Sequence, residues 1–111
     1  MTALARKLAI ITEKGGMRLT DVANVLGTRP ETVSRWNQGK AFPHSGSEKQ
    51  LLDLEWVVEQ IADFYTPEEA RLWLLSRQRL LKGEVPAELI SQGRTDEVLA
   101  VIAQLREATY L

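Results

Sequence analysis

One histidine, no cysteine and fifteen carboxylates bound the chemistry open to this 111-residue chain. Without cysteine there is no disulfide, no thiolate metal site and no sulfur nucleophile. His44 alone supplies neither a multi-histidine metal set nor a Ser-His-Asp triad, each of which needs an imidazole at a fixed place. Glu68/Glu69 and Glu84/Glu88 offer carboxylates, but no base, nucleophile or metal set accompanies them. The residue types point away from an enzyme and call for no cofactor. No apolar run approaches the ~20 residues of a membrane helix, and the N-terminus lacks a long apolar signal core, so the expected location is the cytoplasm with no membrane partner.

The chemistry that remains is recognition. Residues 19–39 read LTDVANVLGTRPETVSRWNQG. Val22, Val25 and Leu26 on one short helix can meet Val33 and Trp36 on the next, with Gly27 in the turn and Ala23 small enough for a close crossing. An apolar wedge of this kind presents the outer face of the second helix to a DNA groove. Glu31, Thr32, Ser34, Arg35 and Gln38 lie on that face. Arg35 suits a bidentate contact to guanine, Thr32 and Gln38 suit base edges or phosphates, and Glu31 suits the amino group of cytosine. Arg18, Arg29 and Lys40 flank the unit as phosphate anchors, with Thr20 at the head of its first helix.

The elements that must hold these residues are helical throughout. Alternating strand patterns and Asn-Gly or Asp-Gly hairpin turns are absent. A first helix is expected over Thr2 to Lys14, ended by Gly15-Gly16, and a second from a Thr20 cap to Leu26. Pro30 opens a third that Gly39 stops. The turn-rich stretch Ala41 to Ser47 separates it from a long amphipathic helix over Glu48 to Tyr65, with Leu51, Leu54, Val58, Ile61 and Tyr65 on one stripe. Thr66-Pro67-Glu68-Glu69 has the form of a capping box, and Leu72, Trp73 and Leu75 are expected inward behind it. A short helix opens at Pro86 and stops at Gly93, and a last one reaches Ala108 with Val98, Val101, Ile102 and Leu105 on one face. Trp56 and Trp73 are expected in the core. The acidic run 53–69 is expected to be a solvated face.

Charge divides the chain in the same place. Residues 1–50 carry eight Lys/Arg and four Asp/Glu, whereas residues 51–111 carry six and eleven. A basic half joined to an acidic half suits two different partners.

Over about residues 4–50 the chain resembles the Xre/Cro-type helix-turn-helix family. Beyond that come Trp73-Leu74, Leu80-Leu81-Lys82-Gly83, Pro86-Ala87-Glu88-Leu89-Ile90, Gly93, Glu97-Val98-Leu99, Ile102 and Tyr110. This series resembles the toxin-binding domain of Xre/MbcA/ParS antitoxins, although Ala108-Thr109 stand where the family often has Gly. The resemblance implies an all-α fold: an Xre/Cro-like helix-turn-helix bundle over 1–47 and a small helical toxin-binding region over 48–111. It implies an antitoxin that covers the active site of a RES-domain toxin, which consumes NAD+ or transfers ADP-ribose, and that represses its own operon as a homodimer on operator DNA. Toxin contact is expected at Leu81, Lys82, Pro86, Arg106, Tyr110 and Leu111, the last two forming an apolar tail with a free carboxylate. The competing expectation is a stand-alone Xre-type regulator whose C-terminal helices only dimerise it.

Overall fold

The computed structural model describes residues 1–110, with side chains through Ala108. Among them seven α-helices follow one another: α1 Ala3–Gly15, α2 Leu19–Leu26, α3 Pro30–Asn37, α4 Ser45–Ile61, α5 Pro67–Leu75, α6 Pro86–Ser91 and α7 Thr95–Tyr110. A 3-10 turn over Arg79–Leu81 precedes α6, and the one β-bridge among the described residues pairs Gln78 with Glu84. The all-helical fold expected from the sequence is the fold observed.

Local chemistry explains most boundaries. Thr2 caps α1, its Oγ1 accepting from the Ala5 amide at 3.0 Å. At α5, Thr66 and Glu69 form the reciprocal pair expected there, the Thr66 amide donating to Glu69 Oε1 at 2.8 Å and the Glu69 amide to Thr66 Oγ1 at 3.2 Å. Helix α4 ends at Ile61, four residues short of the expected Tyr65, and two helix starts also differ from expectation. Helix α2 begins at Leu19, and Thr20 lies inside it: Asp21 reaches back to accept from the Arg18 amide at 2.8 Å, so the first turn is closed by a carboxylate and not by Thr20. Helix α4 begins at Ser45 because His44 caps it, its Nδ1 accepting from the Ser47 amide at 3.4 Å and its Nε2 lying 3.0 Å from Ser47 Oγ. The one histidine of the chain is a helix cap.

Gly15 and Gly16 do more than end α1. A Cβ on Gly15 would come within 2.9 Å of Val58 Cγ2 on α4. One on Gly16, which has φ +62°, would run into the backbone carbonyl oxygen of Pro67. The pair lets the end of α1 press against α4 and the start of α5 at once, a contact that a larger residue forbids.

Helix α4 is the axis of the molecule, packing on α1 along one side and on α6 and α7 along another. Leu51, Leu54, Val57, Val58 and Ile61 are buried along it, each contributing on the order of 1.5–3 kcal/mol of transfer free energy. A single cluster of buried side chains runs from Leu8 to Ile102. Residues 1–47 and 48–111 therefore share one core, and residue 47 marks a change of surface charge without a break in packing.

Two apolar residues, Leu72 and Trp56, depart from expectation. Leu72 is exposed, because the inward face of α5 is Ala70, Trp73 and Leu74 at the helical three-and-four spacing. Leu75 is partly buried against the core, as expected. Trp56 is 54% exposed, whereas Trp36 and Trp73 are 3% and 8% exposed. It falls midway between Leu54 and Val58, which turns it to the far side of α4.

Candidate nucleic-acid and partner interfaces

The α2–α3 unit is built around Val22, Ala23, Val25, Leu26, Val33 and Trp36, all buried as the sequence required. Gly27, with φ +66°, closes α2, and the Thr28 amide donates to the Ala23 carbonyl at 2.9 Å. Pro30 then opens α3. With Val33 and Trp36 held inward, Glu31, Arg35 and Gln38 are exposed and Thr32 and Ser34 half-buried, around a shallow open groove that Leu19 and Pro30 also line. Gln38 Nε2 donates to Ser34 Oγ at 3.0 Å, so these two present a joined polar pair. Arg18, Thr20, Arg29 and Lys40 are all exposed. Among the described residues Arg29, Arg35 and Lys40 enter no salt bridge, which leaves three exposed cations for an outside anion.

Sequence reasoning missed how this unit is fixed to the rest. Asp21 accepts a two-pronged contact from Arg71 of α5, Nε to Oδ2 at 3.0 Å and Nη2 to Oδ1 at 3.3 Å. Burial opposes the charge on Asp21, yet the Arg71 guanidinium and the Arg18 amide together hold its carboxyl below the ordinary value. One carboxylate thus caps α2 and moors it to α5. The pairing spans fifty residues, and no local pattern announces it.

The residues expected on the toxin side fall into three groups. Leu81 and Pro86 are buried: Leu81 belongs to the core where the 3-10 turn meets α7, and Pro86 opens α6. They shape the scaffold and present little accessible surface. Lys82 is exposed and is the one non-glycine residue with positive φ, +58°, among those described. Arg106 is spoken for within the chain. Its Nη1 donates to Asp63 Oδ2 at 2.8 Å, its Nη2 to the Gln60 carbonyl at 3.0 Å and to Gln60 Oε1 at 2.9 Å, and its Cζ lies 5.8 Å from the centre of the Phe64 ring. It ties α7 to the end of α4. The side chain of Tyr110 and the whole of Leu111 lie outside the described residues.

Two further anchors fix the C-terminal half. Arg94 spends all five N–H donors, on Glu97, Glu84 and Gln92, at 2.7 to 3.2 Å. Hydrogen bonds to Glu97 and then Glu84 drive its proton affinity up, and the Arg94 contact lowers that of Glu97. This fork clamps the 78–84 loop to the head of α7. On the other side Thr95 Oγ1 donates to Asp53 Oδ2 at 3.1 Å and Gln50 Nε2 to the Ser91 carbonyl at 2.8 Å, joining α6 and α7 to α4. The acidic run is accordingly less of a free face than expected. Asp53, Glu55, Asp63 and Glu69 all have partners within the chain, and Glu59 and Glu68 form none among the described residues. No helix of the described residues is long and apolar enough to cross a membrane.

An all-helical antitoxin fold is the class that this architecture defines. The chain is homologous to the mycobacterial cidal antitoxin MbcA and fits an MbcA/ParS-type antitoxin. It is 27% identical over 111 residues to MbcA of Mycobacterium tuberculosis and of Mycobacterium bovis, matching 100% of this chain and 98% of theirs. A probable mycobacterial cidal antitoxin of Mycobacterium tuberculosis is 27% identical over 96 residues, covering 86% of this chain and 82% of that one. In structure the chain matches a chain of the crystal structure of the M. tuberculosis MbcT-MbcA toxin-antitoxin complex, with a TM-score of 0.87, 27% identity and 100% of both chains covered. No protein-family model matches it.

Proposed function

We propose that this chain is the antitoxin of a RES-domain toxin: it neutralises an NAD+-consuming or ADP-ribosylating partner by covering its active site with the C-terminal region. It represses its own operon through the α2–α3 unit, acting as a helix-turn-helix in a cytoplasmic homodimer, and carries out no catalysis itself. The observation that carries this reading is end-to-end relatedness to an antitoxin, in sequence and at a TM-score of 0.87 over the whole of both chains. The division of surfaces supports it. Unpaired Arg29, Arg35 and Lys40 suit phosphate contacts on one side. On the other, α7 is clamped at its head by Arg94 and along its length by Arg106. Lys82, Tyr110 and Leu111 are the residues we assign to toxin contact, with Arg106 positioning the helix that bears them.

Co-expression with a RES-domain toxin tests the reading. Full-length chain is expected to restore growth and to co-purify with the toxin. Deleting residues 109–111, which spares Arg106 and its contacts, is expected to abolish rescue while leaving operator binding intact. Failure of the full chain to co-purify with or inhibit such a toxin refutes the antitoxin role and leaves a stand-alone regulator. Equal loss of both activities on truncation refutes the division of labour.

A further inference from the structure

Six Lys/Arg lie beyond residue 50, and the structure divides them into two equal sets. Arg71, Arg94 and Arg106 are spent on Asp21, on Glu84 and Glu97, and on Asp63. Arg77, Arg79 and Lys82 are exposed and enter no salt bridge among the described residues. These three fall within one short loop between α5 and α6, and residues 70–83 contain no Asp or Glu. The acids that border the stretch are already engaged: Glu69 accepts from the Thr66 amide, and Glu84 and Glu97 accept from Arg94. Lys82 lies within the field of Glu97, which leaves Arg77 and Arg79 as the freest of the three.

A loose run of cations would be an ordinary solvated stretch, but this loop is fixed from within. Gln78 is bonded on both sides of its peptide and through its side chain. Its amide donates to the Glu84 carbonyl at 3.1 Å, and its carbonyl accepts from the Leu81 amide at 3.0 Å and the Gly83 amide at 2.9 Å. Its Nε2 donates to the Trp73 carbonyl at 2.9 Å. Lys82 and Gly83 follow at φ +58° and +84°, a left-handed pair that the bonds around it must impose. Leu81 is buried beneath the 3-10 turn, whereas its neighbour Leu80 is exposed. Leu72, also exposed, lines a groove with Tyr65, Trp73 and Gln78. Arginine and apolar side chains offered together on a rigid backbone suit a protein partner, because ordering costs little on binding. Nucleic acid is the poorer match, since a phosphate backbone uses the arginines and leaves Leu80 in water. The loop also has other neighbours than the cations of α3: α3 packs mainly on α1 and α2, and the 3-10 turn on α7.

We infer that residues 77–82 form a preformed docking loop for an acidic patch on the toxin, with Arg77 and Arg79 set against its carboxylates and Leu80 entering an apolar recess between them. This rests on the antitoxin reading and deepens it. It puts a toxin contact on the body of the chain, in the same loop as Lys82, apart from the tail assigned to the active site. A charged loop of this kind sets the rate of encounter and the choice of partner, which leaves inhibition itself to the tail.

Surface plasmon resonance of the full chain against a RES-domain toxin tests it, with operator binding measured in parallel. Arg77→Glu with Arg79→Glu is expected to weaken capture by roughly tenfold or more, mainly through slower association, with helix content and Tm unchanged because both side chains are exposed. Arg77→Lys with Arg79→Lys keeps the charge and is expected to keep most of the affinity. Leu80→Ser is expected to weaken capture by about tenfold without altering its salt dependence. Association of the wild type is expected to slow as salt rises, and the double glutamate variant to lose most of that dependence. A toxin that binds the wild type and is indifferent to both the double glutamate variant and Leu80→Ser overturns the docking loop and leaves the antitoxin reading standing. A wild type that binds no RES-domain toxin overturns both. Loss of operator binding in the double glutamate variant with toxin capture intact gives the loop to nucleic acid and overturns the assignment.

Discussion

Replacing Asp21 by Asn tests how firmly the α2–α3 unit is coupled to the rest of the chain. Asparagine keeps an oxygen for the Arg18 amide, so the cap survives while the charge opposite Arg71 is lost. The Asp21 side chain is 12% exposed and that of Arg71 37%, which places the pair between a surface bridge worth about 0.2–1 kcal/mol and a buried one whose disruption costs about 3–5 kcal/mol. Two charge-assisted hydrogen bonds, discounted for the solvent that reaches the guanidinium, give about 1–2 kcal/mol at neutral pH. In a domain of this size that lowers Tm by about 4–12 °C. The sign with pH follows from the depressed carboxyl. Its stabilisation is fully present above the ordinary value of 3.8 and is lost as pH falls from there through the lower folded value. Denaturant unfolding of wild type and variant at pH 7, 5 and 3 is therefore expected to show an equal gap at the first two and a smaller one at the third. A double-mutant cycle with Arg71→Met is expected to return a coupling of about 1 kcal/mol. No gap at pH 7, or one that persists unchanged well below pH 3, refutes the mooring.

Three other outcomes follow from the geometry. Gly16→Ala puts a Cβ into the Pro67 carbonyl at φ +62°, and is expected to cost about 2–4 kcal/mol by thermal or denaturant melting, against about 1–2 kcal/mol for Gly83→Ala, where only the left-handed strain applies. Because Gly83 also has positive φ, +84°, with open space around it, the difference between the two variants isolates the collision from the backbone strain. Lys82→Gly relieves a left-handed lysine and is expected to leave stability unchanged or raise it by about 0.5 kcal/mol while weakening toxin capture, so that pull-down and melting part company. Arg94→Ala releases the clamp between the 78–84 loop and α7; faster hydrogen exchange at the Gln78 and Gly83 amides, with global unfolding little changed, is the expected signature.

What the sequence made legible was whatever local periodicity and capping govern. The all-α fold, the capping box at Thr66, the proline starts at 30, 67 and 86 and the buried faces of α2, α3 and α4 all follow from spacing over one or two turns. What it hid was every contact made across sequence distance. Asp21 to Arg71, Arg94 to Glu84 and Arg106 to Gln60 are set by the packing of whole helices, and a charged residue on a helix carries no mark of the neighbour it will meet. Leu72 and Trp56 failed for a related reason. Composition drew both inward, but the helical phase of their neighbours turns them out, and phase is the stronger signal when the two conflict.

The two proposed activities share one packed molecule. Were the chain a DNA-binding unit loosely linked to a toxin-binding unit, each surface would work alone and truncation at residue 47 would leave the first intact. The single core from Leu8 to Ile102 argues otherwise, since α4 supplies buried side chains to helices on both sides of that boundary. A fragment of residues 1–47 exposes the faces of α1 and α2 that α4, α5 and α6 cover, and loses the partner of Asp21 with them. It is expected to be unfolded by circular dichroism and to lose operator binding, whereas the chain cut after Ala108 keeps both. A folded, DNA-binding fragment of 1–47 would refute the shared core. Contacts run from α7 to α4 and from α4 to α2, so the two proposed surfaces rest on one packed frame.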